Sequence, residues 1–369
     1  MRSLAIIPGD GIGPEVIAEG IRVLEAISEI SSFSFEAEYF EIGSERYLRN
    51  GILITDEEYD ALSKKDAIYF GAIGDPRVRP GILEKGILLA MRARFDQYIN
   101  LRPVRSWHPY VPLKKHFDFN MHFLRENTED FYIGAGGNLT PGAMEQDMTI
   151  RRGLYRLDLS LKAKAEPEDE FGFEIGVLSR KGVERFAEYA IEYAIAHGHH
   201  RVTLVDKANV CPSMYGMQRT IFQEKADDKG IEMEYMYVDA MAMAMLIRPH
   251  TFGTIAVPNL FGDILTDLGA QLGGGLGMGA SGNINPNGVS MFEPIHGSAP
   301  DIAGQGKANP FAALMAAKMM LDHLGYAGEA EMLESALTVS LQQNATTPDL
   351  GGSLRTSEVT DFVIQQLRH

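Results

Sequence analysis

Short apolar runs closed by Gly/Pro turns alternate with amphipathic helical stretches along this chain, and that alternation restricts its fold more than any other feature. The opening LAIIPGDGIGPEVIAEGIRVLEAI (4–27) reads as a buried strand, a Gly/Pro turn and a helix whose apolar positions are Ile12, Val16, Ile21, Val23 and Leu24. Residues 66–74 (DAIYFGAIG) predict a second strand with a Gly-rich exit, and 177–199 predict an amphipathic helix followed by the strand 201–205. A further strand is expected at 253–257, and a helix at 309–324 with Pro310 near its start. Strands alternating with helices argue for an α/β protein with a mostly parallel sheet. The stretch 139–175 breaks this rhythm. It alternates apolar and charged residues without a helical stripe, so it reads as an extended ribbon leaving the main sheet, a candidate dimerisation arm.

A length of 369 residues suits two domains or one large α/β domain with an attached lobe. The longest apolar run, Ala240 to Ile247, falls far short of the about 20 residues a membrane span needs. The apolar run before Pro8 is too short for a signal peptide, and a single cysteine, Cys211, rules out an intramolecular disulfide. The expectation is a cytoplasmic protein. A net charge of −16 disfavours nucleic acid and anionic membranes as partners. It leaves room for a small anionic ligand, because a local arginine cluster can override the global field.

Three features invite readings that their context rejects. Residues 277–282, GMGASG, match G-x-G-x-x-G, with Asp301 19 residues beyond. The match follows a helix-like segment and runs into NINPNGV, which holds turn signals and no helix start, so this is not a Rossmann phosphate loop. His197, His199 and His200 sit at a helix exit, where adjacent imidazoles rarely converge on one ion. The MAMAML run reads as core filler.

The chemistry concentrates elsewhere. In FGDILTDLG (261–269) Asp263 and Asp267 are four residues apart, stacked on one face of a helix, where like charges cost roughly 0.2–0.5 kcal/mol. Asp239, in YVDAMAM, is a third acid among apolar neighbours. A divalent cation with hard oxygen ligands, Mg²⁺ or Mn²⁺, would reverse the repulsion. The alternative is a solvated helix face with Asp239 as an N-cap. Arg92, Arg102 and Arg125 each stand beside apolar residues; together they would bind a di- or tricarboxylate, and singly each could pair with a nearby acid such as Asp96 or Glu126. Lys207 follows a strand, where α/β proteins place ligands, and is a candidate general base against a solvated lysine. Tyr132 is a candidate proton donor, or one more packed tyrosine.

Taken together, GDGIGPE (9–15), NLRPV (100–104), REN-T-E (125–129), DKANV (206–210), YVDAMAM (237–243), NLFGDILTDL (259–268), HGSAPDIAG (296–304) and TPDLGG (347–352) resemble the β-decarboxylating dehydrogenases, the isopropylmalate, isocitrate and tartrate/D-malate dehydrogenase family. The likeness runs nearly end to end. It implies two α/β lobes with a cleft between them and an extended dimerisation arm, not a Rossmann fold. A discontinuous cofactor lobe would comprise 1–98 and 257–369, and a substrate and dimerisation lobe 99–256. It further implies that Asp263 and Asp267, with Asp239 of the partner subunit, hold Mg²⁺ or Mn²⁺, and that Arg92, Arg102 and Arg125 bind the substrate carboxylates. Lys207, also from the partner, would take the hydroxyl proton and Tyr132 would protonate the enolate. His296, Gly297, Ser298, Ala299, Pro300, Asp301 and Asn309 would form the adenosine site of an obligate homodimer with shared active sites. Asp301 would accept both ribose hydroxyls of NAD and repel the 2′-phosphate of NADP; NADP-using relatives carry Lys and Tyr at Asp301 and Ile302, so NAD is expected.

The resemblance divides over the substrate. In relatives, residues seven to three positions before Arg92 contact the variable substituent, here Lys85-Gly-Ile-Leu88-Leu89. Leu88 and Leu89 resemble the isopropylmalate pocket, whereas Lys85 replaces a glutamate usual there. It would meet a second anionic group, pair with Glu84 or face solvent. RFDQYINLRPVR (94–105) is more similar to tartrate/D-malate enzymes, VDKANV to isopropylmalate enzymes and NTEDFY to bacterial isocitrate enzymes. The resulting expectation is NAD-dependent oxidative decarboxylation of a 3-substituted malate, with 3-isopropylmalate, in leucine biosynthesis, as the first candidate. Tartrate or D-malate, or a malate analogue with an extra anionic group, comes second. A member that has lost catalysis and serves as a binding subunit is the alternative of a different class.

Overall fold

Strand and helix alternate as the hydrophobic periodicity requires in the computed structural model, which describes residues 1–107, 109–115, 117–139, 143–164 and 169–368. The chain forms two compact units, Met1–His122 with Thr266–His369, and Phe123–Leu265.

The first segment runs through β1 (Arg2–Gly9), α1 (Gly13–Ile30), β2 (Phe35–Tyr39), α2 (Ser44–Asn50), α3 (Asp56–Leu62), β3 (Ala67–Ala72), a π-helical turn at Glu84–Leu89, α4 (Ala90–Arg94) and β4 (Ile99–Arg105). The chain leaves this unit within β5 (Asn120–Glu126). The second unit continues with β6 (Asp130–Leu139), β7 (Ala143–Arg152), β8 (Tyr155–Lys164), β9 (Phe171–Val177), α5 (Arg180–Ala196), β10 (Arg201–Asp206), α6 (Pro212–Lys229), β11 (Glu232–Tyr237), α7 (Val238–Ile247) and β12 (Thr254–Val257). It returns within α8 (Asn259–Leu272) to β13 (Ala280–Ile284), β14 (Ser290–Pro294), α9 (Phe311–His323), α10 (Ala327–Gln342) and α11 (Thr356–Leu367).

In the first unit the strand order is β4-β13-β14-β3-β1-β2. Its β1, β2, β3 and β14 pairings are parallel, and β13 runs antiparallel to both β4 and β14. The reversal follows from the N-P-N-G turn: Asn285 accepts from Gly288 N–H (3.2 Å) and folds β13 back onto β14. Leu101 pairs with Gly282, which ties residues 99–105 to the first unit, and that unit resumes only at Thr266. One core fills the face of this sheet under α1, α9, α10 and α11 with Leu4, Ile6, Val23, Phe292, Leu314 and Val359; another, under α3 and α4, holds Ile7, Phe70, Ile87 and Met91. The helix at 309–324 starts later, at Phe311, because Pro310 lacks an N–H and sits at the N-cap.

In the second unit β10 pairs in parallel with β11 and β12. The stretch read as an extended ribbon is extended: β7 and β8 form one antiparallel pair and β6 and β9 another. Ile133, Ala135 and Ile150 are buried between them, with Leu157 and Ile175 packed alongside. Residues 140–142 and 165–168 of that stretch lie outside the described residues. GMGASG runs from a short 3₁₀ turn directly into β13, so no helix N-terminus follows it for a phosphate to bind.

Candidate active site

The second unit assembles half of the expected site. Arg125 leaves β5 with its side chain 1% exposed. Its Nε donates to Asn259 Oδ1 (2.9 Å), and its Nη1 pairs with Asp263 Oδ1. Gly262 makes room for this, since a Cβ there would lie 2.6 Å from Arg125 Cγ. Tyr132 Oη donates to Asp263 Oδ2 (2.8 Å) while the Arg125 guanidinium stands 5.0 Å over its ring. Tyr132 lies where the β6–β9 register shifts, between Asp130 and Ala135, an irregularity that re-aims side chains. Burial pushes the Tyr132 phenol above its ordinary range, so it keeps its proton at neutral pH. Guanidinium, phenol and carboxylate thus meet at one point. Arg125 Nη2 is buried with no hydrogen-bond partner among the described residues, a donor left over for a ligand carboxylate.

Elsewhere in this unit Lys207 and Asp239 pair, and that contact holds Asp239 below the usual carboxylate range. The N-cap of α7 is Tyr237; Asp239 sits in the first helical turn, so the N-cap alternative does not hold. His197 ends α5 and stacks on Tyr193, and His199 Nδ1 bonds Thr254 Oγ1 (2.8 Å). Among the described residues no three His, Cys, Asp or Glu side chains gather as a metal site.

In the first unit, Arg102 donates from Nη1 to Thr266 Oγ1 (2.8 Å) and lies 3.3 Å from Asp267. Arg92 is buried and donates to Glu293 Oε1 (3.1 Å), which also accepts from Asn283 Nδ2 (2.7 Å). None of the three arginines uses Asp96 or Glu126 as an acid partner in these contacts. Arg125 and Arg102 pair with the two aspartates of α8. Those carboxylates stay 41% and 61% exposed. Lys85 is exposed and makes no ion pair among the described residues; Glu84 instead accepts from Gly81 N–H (3.0 Å). Leu88 and Leu89 are half-buried in the π-helical turn leading to α4.

The residues expected to bind adenosine form a loop on the GDGIGP turn. Ile12 N–H donates to Ser298 O (2.8 Å), and Gly11, at φ +58°, allows that approach, since a Cβ would lie 1.9 Å from the same oxygen. His296 Nδ1 contacts Gly297 O (3.0 Å), leaving its buried Nε2 without a partner among the described residues. Ala299 takes a positive φ of 38°, and Pro300 and Asp301 are exposed. Asn309 donates to Asp349 Oδ2 (2.9 Å) and accepts from Phe311 N–H (3.0 Å). An orphaned imidazole nitrogen and an exposed carboxylate on one loop fit a nucleotide with free ribose hydroxyls.

Several residues of this region escaped the sequence reading. Asp10 accepts from Ser44 N–H and Oγ–H (2.7 Å each) and Gly74 N–H (3.1 Å), fastening the turn to the exit of β3. Glu126, Glu129 and Asp130 are buried behind Arg125 and Tyr132. Their signal was four acids and amides in RENTED, packed into a strand exit too short to expose them all. Burial, then the charge of Glu129, raises the Glu126 carboxyl to about 7. The folded state therefore binds this proton more tightly than the unfolded chain, whose carboxyl titrates near ~4.3, so the group destabilises the fold as pH rises through that window. As pH rises from about 5 to about 8, the unfolding midpoint of Glu126→Gln should fall less than that of wild type. Parallel pH profiles of the two proteins in thermal melts would contradict this.

Known proteins resemble this chain along nearly its whole length. Residues 3–363 match the isocitrate/isopropylmalate dehydrogenase family. The 3-isopropylmalate dehydrogenase of Thermobifida fusca is 41% identical over 99% of this chain and 97% of its own, and that of Streptomyces coelicolor 41% over 97% and 96%. Among solved structures, isocitrate dehydrogenase from Methylococcus capsulatus superposes with a TM-score of 0.85 at 31% identity, covering all of both chains. A β-decarboxylating dehydrogenase from Thermococcus kodakarensis gives 0.76 at 32% identity, over all of this chain and 96% of the other. With motifs, fold and relatives in agreement along its length, the chain belongs to the isocitrate/isopropylmalate dehydrogenase family.

Proposed function

We propose that this protein is an NAD-dependent, divalent-metal-dependent enzyme that oxidises and decarboxylates a 3-substituted malate, with 3-isopropylmalate, in leucine biosynthesis, as its substrate. The observation that carries the reading is the meeting of Arg125, Tyr132 and Asp263 at one point. The names of the 41%-identical relatives support the choice of substrate.

In this reading Arg92, Arg102 and Arg125 bind the two carboxylates of the substrate and fix its orientation. Asp263 and Asp267, with Asp239 of a second copy, would hold Mg²⁺ or Mn²⁺, which when bound supplies Lewis-acid polarisation of the C2 oxygen. NAD, seated on the loop from His296 to Asp301 and Asn309, supplies the hydride acceptor. Lys207 Nζ takes the proton of the C2 hydroxyl as that carbon is oxidised. The resulting β-keto acid loses CO₂, and Tyr132 Oη delivers its retained proton to C3. Leu88 and Leu89 face the alkyl substituent; Lys85, exposed beside them, is the position that would admit a second anionic group.

Two observations support a homodimer with shared sites. On α7, the helix that carries Asp239, Met243, Leu246 and Ile247 are 59%, 45% and 70% exposed. An apolar face of this kind calls for a cover, and a second copy would bring Asp239 and Lys207 with it. The paired strands β6 to β9 are the proposed arm. No helix among the described residues is long and apolar enough to cross a membrane.

The test is NADH formation with Mn²⁺ present on 3-isopropylmalate, D-malate, L-tartrate, isocitrate and homoisocitrate. The fastest turnover is expected with 3-isopropylmalate. Turnover of isocitrate alone would defeat the apolar-pocket reading, D-malate or tartrate alone would move the substrate to the runner-up, and silence across the panel would favour a binding subunit.

A further inference from the structure

We infer that Asp130 is a positioning residue, holding the start of α8 against the β5–β6 turn so that Asp263 meets Arg125 and Tyr132. The inference rests on the roles proposed above for those three residues.

Asp130 is fully buried and adopts φ +64°, a left-handed conformation that favours glycine. A side chain kept in such a place has to be held by its contacts. Asp130 Oδ2 accepts from Leu260 N–H (2.9 Å), and Oδ1 accepts from Tyr215 Oη–H (3.0 Å). Leu260 lies in the first turn of α8, where a backbone N–H has no carbonyl partner within the helix and negative charge is favoured. The carboxylate therefore supplies from outside what the helix lacks.

The same junction has a second tie. Asn259 Nδ2 donates to Glu129 O (3.2 Å), and its Oδ1 accepts from Arg125. Leu260 and Asp263 are three residues apart, on nearly one side of the helix. Fixing the N–H of Leu260 thus fixes the direction of Asp263, whereas a slip of one residue would turn it by about 100°. Two residues beyond Asp130 comes Tyr132, which reaches the same aspartate.

The other oxygen extends the device to the lysine. Tyr215 stands one turn into α6, and the backbone before it is closed by Cys211 N–H to Lys207 O (2.9 Å) and Tyr215 N–H to Cys211 O (3.1 Å). One buried carboxylate accordingly references the turn between the strands of Arg125 and Tyr132, the helix carrying Asp263 and the helix that follows Lys207.

Asp130→Gly relieves the backbone conformation and removes both hydrogen bonds, whereas Asp130→Asn keeps an oxygen for Leu260 N–H. Direct Mn²⁺ binding, read from the electron paramagnetic resonance signal of the free ion, should weaken about tenfold in the glycine variant. Its kcat should fall by a similar factor, while the KM for NAD stays within about twofold of wild type. The asparagine variant should recover Mn²⁺ affinity to within about threefold. Wild-type Mn²⁺ binding by the glycine variant would overturn the inference. So would a loss that the asparagine variant does not rescue and that extends to NAD, with a lowered unfolding midpoint in both, because that pattern describes a fold defect. Asp263→Asn, measured alongside, separates the two levels. If it loses Mn²⁺ while Asp130→Gly does not, the positioning role alone fails; if Asp263→Asn binds Mn²⁺ normally, the site reading fails with it.

Discussion

Asp263→Asn should abolish metal-dependent turnover and leave a folded protein. The substitution keeps the shape of the side chain and an oxygen to accept from Tyr132, and it removes the repulsion between two aspartates one turn apart on α8. Arg125 retains Asn259, so its buried guanidinium is not stripped of every partner. In the proposed reading the variant would lose a hard anionic oxygen of the metal site, which would stabilise the charge that develops on the C2 oxygen. Lewis-acid stabilisation of that charge is worth several kcal/mol, so kcat should fall on the order of a thousandfold. Steady-state rates at saturating Mn²⁺, together with a melting curve, decide it. A folded variant that keeps more than about a tenth of wild-type kcat would remove Asp263 from the metal site.

The same aspartate shows how far the site was legible from the chain alone. Its spacing from Asp267 is local, so helix periodicity exposed the pair directly. GMGASG was rejected on equally local grounds, and β13 begins where a helix would have to start. The arginines are another matter. Sequence proximity offered Asp96 and Glu126 as their partners, yet the observed ones lie 201, 165 and 138 residues away for Arg92, Arg102 and Arg125. Only strand pairing and the placement of α8 decide such contacts. Asp130 was illegible for a related reason. Neither its positive φ nor its burial follows from RENTED as a string; both come from the junction of a strand, a turn and a helix. The pairing of β4 was equally hidden, because its partner β13 is a strand that the chain reaches more than a hundred residues later.

Mixing two inactive variants should restore activity if the site is shared between copies. Lys207→Ala removes the proposed base, whose contribution is of order 10²–10⁴ in rate, and Asp263→Asn removes a metal ligand. Each variant alone forms only defective sites. Suppose that each site takes Asp263 from one copy and Lys207 from the other. In a heterodimer, the site built on the Asp263 of the lysine variant then receives Lys207 from the aspartate variant and is intact, whereas the reciprocal site lacks both groups. Random reassembly in a C₂ dimer makes about half of the molecules mixed, each with one of two sites whole, so about a quarter of wild-type activity should return. The in-chain contact between Lys207 and Asp239 bears directly on this: both groups stand in one cluster of the second unit, and a second copy would bring them together. If both groups instead served the Asp263 of their own chain, mixing would return nothing at any ratio. The recovered activity should also vanish when the mixed dimers are diluted until they dissociate, because the intact site exists only while two copies share it.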